Sequence, residues 1–206
     1  MARQVGIVWD MRFARRESWI VSSGNEHAVD LALFIREALA LPVEEPALPG
    51  LDPPVPVLSV DGVDRAAVAA EWPGWWADIL EYCRYRLTAA PGFHPDLDSY
   101  PAVETSPALA GRPALRAAIE ALTEPVRRYE SGFDFEMPSM MVNEVVRDME
   151  KALGRPARPF RFVFTDVRLR GEVWLPLADR HVLVSTRFMA SPAARQAVRE
   201  AFAGLV

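Results

Sequence analysis

Hydrophobic positions along this chain change their period twice. Near the N-terminus, Val5–Asp10 and Trp19–Ser22 are short apolar runs of strand length, separated by a basic link holding Arg12, Arg15 and Arg16. They predict two strands able to pair as a hairpin. Ser23-Gly24-Asn25 then offers N-cap chemistry, and Ala28, Leu31, Ile35 and Leu39 recur at helical spacing up to Pro42. Leu33 and Phe34 widen that apolar stripe and predict a well-buried helix.

Residues 42–56 contain six prolines, whose missing N–H groups and fixed φ exclude helix and most sheet pairing. The segment is predicted to be an extended connector, either functional or an arm covering the helices. Val57–Val60 has the composition of a short strand. Asp61 or Asp64 is placed to cap a helix running through Glu71, and Pro73 marks the start of another, from Trp75 to about Thr88. The stripe of that second helix is Trp76, Leu80, Cys83 and Leu87. A second proline-rich connector covers 91–107.

Two amphipathic helices follow. The first starts near Pro113, carries Leu115, Ile119, Leu122, Val126 and Tyr129, and should kink at Pro125. The second begins near Pro138 and carries Met141, Val142, Val145, Met149 and Leu153, with Gly154 as its stop. The period then changes to two. Phe160, Phe162 and Phe164 alternate with Arg161, Val163 and Thr165, and the alternation slips at Asp166, as at a bulge. Val173–Leu177 and Val182–Phe188 predict two more strands. Ser191-Pro192 opens a last helix with Val198, Phe202 and Leu205 facing inward.

The pattern predicts a single α+β domain over 1–206, with a helical middle at about 25–154 and a C-terminal sheet and helix at about 157–206. The expected sheet is antiparallel: an N-terminal hairpin plus a C-terminal three-stranded meander, packed on about five to six helices. The alternative is a mixed sheet, with the N-terminal strand pairing in parallel through the helix at 25–40.

Charge sharpens this division. Residues 1–24 carry net +2, 25–154 net −12 and 155–206 net +5, for a total of −5. An acidic helical part packing beside a basic sheet part accounts for the split; a basic part facing an acidic partner is the competing account. Overall acidity argues against nucleic-acid binding, and the alternation of Phe with Arg in 160–165 puts rings and cations on opposite strand faces. The basic residues are 22 Arg and one Lys, Lys151, a bias expected of a GC-rich bacterial genome. One cysteine, Cys83, excludes an internal disulfide. With only five apolar residues at Val5–Trp9 and no membrane-length run, a cytoplasmic protein without membrane contact is expected.

Strong catalytic motifs are missing: no phosphate-binding loop, GxGxxG, GxSxG, HExxH or paired CxxC is present. No cofactor is expected. Two groups remain as candidate sites. Trp72, Trp75 and Trp76, with Tyr82 and Arg84 downstream, are either broad core or a groove for a ligand or partner, with Arg84 able to stack on a ring. His94, Asp96 and Asp98 form an H-x-D-x-D loop whose imidazole and carboxylates suit a hard or borderline metal, or serve as turn residues. His27 reads as a surface or cap residue, and His181 as a turn-side residue. Glu144 and Asp148, one helical turn apart, are a solvated face or an acid–base pair. The leading expectation is a non-enzymatic protein-interaction domain, accessory or immunity-like, binding another protein or itself. The alternative is a small-molecule binder or enzyme built on the aromatic and Arg groove and the carboxylates near His94.

Overall fold

Five strands form one sheet in a computed structural model that describes residues 7–10, 19–43, 47–88, 100–102, 106–131 and 139–206. The strands are β1 (Ile7–Asp10), β2 (Ile20–Gly24), β3 (Arg161–Val167), β4 (Trp174–Ala178) and β5 (His181–Ser185), in the order β1-β2-β3-β5-β4. Among the described residues the α-helices are α1 (His27–Ala38), α2 (Arg65–Thr88), α3 (Pro113–Ser131), α4 (Ser139–Leu153), α5 (Thr186–Met189) and α6 (Ala194–Phe202). The fold is α+β, and the chain divides into two compact units: a sheet unit of 1–25 and 135–206, and a helical unit of 26–134.

The sheet is mixed, which corrects the antiparallel expectation. β1–β2 and β4–β5 pair antiparallel, but β2–β3 and β3–β5 are parallel. Nor do the last three strands form a meander, because β5 inserts between β3 and β4. Burial explains the order. Every residue of β5 is buried, as a central parallel strand requires, whereas β4 is largely open and contains Pro176. Proline cannot donate to a ladder, so β4 belongs at the edge. The expected bulge at Asp166 is also absent. β3 keeps regular register from Val163↔His181 to Val167↔Ser185, and the irregularity lies at Pro176/Ala178. The alternation fades because the end of β3 is buried on both faces, not because the strand slips.

Paired residues share a face, so Val21, Phe162, Phe164, Val182, Val184 and Trp174 line one side. Among the described residues this unit holds three of the helices, α4, α5 and α6. Val142, Val145, Val146 and Met149 of α4 and Val198 and Phe202 of α6 complete its core. Phe202 sits with its ring 5.3 Å from Phe160 and 5.0 Å from Phe162. Gly154 ends α4 as predicted. Its φ of 66° is left-handed, and Gly154 N–H and Arg155 N–H bond to the Lys151 and Glu150 carbonyls.

In the helical unit, α1 is buried along nearly its whole length. Its start differs from expectation: Ser23 and Gly24 belong to β2, and the Tyr100 hydroxyl accepts the Ala28 N–H at 2.9 Å in place of a side-chain cap. α2 is one helix, not two. Pro73 removes a single intrahelical bond, a loss of about 3 kcal/mol. Burying Trp72, Trp75 and Trp76 returns roughly 2–3 kcal/mol each. Asp64 caps α2, accepting from Ala66 N at 2.9 Å and Ala67 N at 3.2 Å. Glu71 caps α3 by accepting from Leu115 N at 2.8 Å. The predicted strand at Val57–Val60 does not form. Instead the proline-rich segment lies on the helices as a covering arm: Leu51 and Val55 are buried, the Arg36 guanidinium donates to the Pro49 carbonyl at 2.9 Å, and Leu58 N–H to Ala38 O at 2.7 Å.

Candidate functional site

The aromatic cluster is core. Trp72, Trp75 and Trp76 are 0%, 0% and 4% exposed. Each of the first two donates its indole N–H to a main-chain carbonyl, Trp72 to Ala32 and Trp75 to Pro101, both at 2.9 Å. Trp72 and Trp76 stack at 5.3 Å. These indoles present no groove, because helical spacing and the buried α1 surface draw all three inward. Tyr82 is half-buried, edge-on to Tyr100 at 5.3 Å. Arg84 lies on α2, and its side chain is outside the described residues, as are His94, Asp96 and Asp98. Cys83 is buried in the same unit.

A polar cluster sits at the start of α1. His27 Nδ1 meets Glu130 Oε1 at 2.6 Å, and Tyr100 donates to Glu26 Oε1 at 2.8 Å. The Glu130 hydrogen bond raises the His27 pKa above its ordinary 6.5 against the opposing effect of burial, with the Glu130, Asp30 and Glu26 charges adding to the rise. Burial and the Glu26 carboxylate push the Tyr100 hydroxyl well above the ordinary phenol value. The histidine and its carboxylate are 103 residues apart in sequence, so no local pattern could have joined them. Among the described residues no three metal-ligating side chains converge on a metal position. The cluster closes the helix start and ties α1 to α3.

In the sheet unit two pairs of buried polar side chains meet across neighbouring strands. Ser23 donates to Asp166, and Thr165 Oγ1 lies 2.8 Å from His181 Nε2. His181 is therefore a core histidine on β5, not a turn-side residue. Ser185 accepts from Phe188 N at 3.1 Å and starts α5. Glu144 and Asp148 both take Arg195, at 2.8 and 2.7 Å, which pins α6 to α4 and raises the arginine pKa. An acid–base role for that pair has no desolvated carboxylate to rest on.

What the sheet unit leaves open is an apolar groove of about 580 Å³ beside the edge strand. Its floor is Phe162, Val182, Trp174 and Pro176, on the sheet face that also carries α6. Phe188 of α5 closes one end, with its ring 5.3 Å from Trp174. Ala197 and Ala201 of α6 form a smooth wall, and Asp179 and Glu200 stand on the rim. Trp174 and Phe188 are half-buried, in contrast to the indoles of α2. The reading from sequence missed this surface. Its only linear signal is a tryptophan two residues from a proline in a strand, which marks an edge with an aromatic on it.

No protein-family model, curated protein or solved structure matches this chain. Among the described residues no helix is long and apolar enough to cross a membrane.

Proposed function

We propose that this chain is a non-enzymatic protein-interaction module, accessory or immunity-like in character, that engages its partner through the groove beside β4. The observation that carries this reading is the groove itself: an open, aromatic-floored surface rimmed by two carboxylates and lined by no histidine, cysteine or serine. Sites that process small molecules enclose most of the ligand and aim a few polar groups at it. An open trough with an aromatic anchor resembles the centre of a protein interface, where Trp and Phe supply most of the binding energy. The alternative, a small-molecule binder or enzyme using Trp75, Trp76, Arg84 and the His94 loop, has less support, since its indoles are buried and hydrogen-bonded to main chain.

Site-specific photo-crosslinking in the native host tests the reading. A photoreactive residue at exposed Ala178, on the groove, should trap one discrete protein, and Trp174→Ala should abolish that adduct. The same residue at exposed Glu120 on α3 should trap none. Equal trapping at both positions, or none at Ala178, overturns the proposal.

A further inference from the structure

Resting on that reading, the geometry points to one kind of occupant: we infer that the groove takes an amphipathic helix of a partner protein, apolar toward Trp174 and carrying Arg or Lys toward Asp179 and Glu200. The helical layer on this face of the sheet is incomplete. α4 packs on α6, and Phe202 of α6 lies against Phe160, Phe162 and Phe164. Over Trp174 and Pro176 the only described helices lining the groove are α6, on its flank, and the single turn of α5. Helices pack side by side about 8–10 Å apart and strands lie about 4.8 Å apart, so a helix packed beside α6 would lie over β4, whose Trp174 and Pro176 are open where β5 is buried. Ala197 and Ala201 are four residues apart on the facing side of α6, which lets a second helix approach closely.

An extended peptide fits less well. Strand addition needs a regular edge with free N–H groups, and β4 carries Pro176 and an irregular register at Pro176/Ala178. Charge selects the partner further. Among the described residues the groove lining contains two carboxylates, on Asp179 and Glu200, and no cation. Both residues are exposed, and Glu200 is steadied by Gln196 Nε2 at 2.7 Å. Desolvating them against an acidic or purely apolar partner is unfavourable, so a basic flank is preferred.

The test uses fluorescein-labelled peptides of about 18 residues with leucines at helical spacing, titrated into the full-length protein and followed by anisotropy. One peptide carries Arg beside the leucine stripe, a second carries Glu there, and a third is the Arg peptide with two central prolines. The Arg peptide should bind at least about tenfold more tightly than either of the others, and more weakly as salt rises. Asp179→Lys combined with Glu200→Lys, both at exposed positions, should invert the preference between Arg and Glu peptides. Equal binding of the Arg and Glu peptides, undiminished binding of the proline peptide, or no binding by any of them overturns the inference. If the Ala178 adduct nonetheless forms and depends on Trp174, the interaction reading survives and only its helical, basic occupant fails. Loss of both removes the two together.

Discussion

The helical unit and the sheet unit handle aromatic residues in opposite ways. In the helical unit three indoles lie within five residues, and all of them are buried, with the N–H groups of Trp72 and Trp75 on main-chain carbonyls. In the sheet unit Trp174 stands alone on an edge strand, half-buried beside Phe188. Density of aromatics along the chain therefore marks core, while position at an edge marks surface. Titratable groups divide in the same way. Glu26, His27, Tyr100 and Glu130 bond to one another and hold the start of α1, whereas Asp179 and Glu200 face outward on a groove rim.

The sharpest way to break this comparison is to truncate one tryptophan in each unit. Trp72→Ala should cost about 3–5 kcal/mol of stability, because it opens a cavity among packed side chains and removes the indole hydrogen bond to the Ala32 carbonyl. Trp174→Ala should cost about 1–2 kcal/mol while abolishing the Ala178 crosslink, since the ring is half-buried and its aromatic partners among the described residues are Phe164 at 6.0 Å and Phe188 at 5.3 Å. Denaturant unfolding of the two variants decides the matter. Equal losses would make the groove part of the core.

A smaller effect sharpens the role of the proline-rich arm. Arg36→Met removes the donor to Pro49 O from a buried site and should cost about 1–3 kcal/mol. It should also speed protease cleavage within residues 47–58 well before global unfolding. Cleavage rates matching the parent protein would show that the arm is held by its apolar contacts alone. Next comes the α2 cap. Asp64→Ala should cost about 1 kcal/mol, read as a lower midpoint with unchanged denaturant slope.

The smallest effect depends on pH. The His27 pKa is raised in the folded state, so the stability it contributes is fully present below about 6.5 and fades as pH rises through the folded value. The side chains are 41% and 20% exposed, so screening limits the pair to about 0.5–1 kcal/mol. His27→Gln should therefore lower the melting temperature by a few degrees at pH 5.5 and by less at pH 8.5. A deficit that grows toward high pH would remove His27–Glu130 as a charged clamp.

Much of this architecture was legible because it is local. The change of period from helix to strand near 157, the Asp64 cap and the Gly154 stop depend on residues within a turn or two of each other. The chain by itself determined most of the segments that become helix or strand, because those outcomes follow from side-chain spacing and backbone stereochemistry; the exceptions are Val57–Val60, which forms no strand, and Thr186–Met189, which reads as the end of a strand and forms α5. Tertiary structure decided the rest. Parallel pairing of β2 with β3 joins Ser23 to Phe164, far apart in sequence, and the linear pattern offered it only as the alternative to an antiparallel sheet. The insertion of β5 between β3 and β4 was decided by burial, which places the apolar strand at the centre and the strand with Pro176 at the edge. The fusion of α2 through Pro73 was decided by packing energy that exceeds a single lost hydrogen bond. The groove exists only because that strand order leaves one edge without a helix above it, a property of assembled layers and of no single segment.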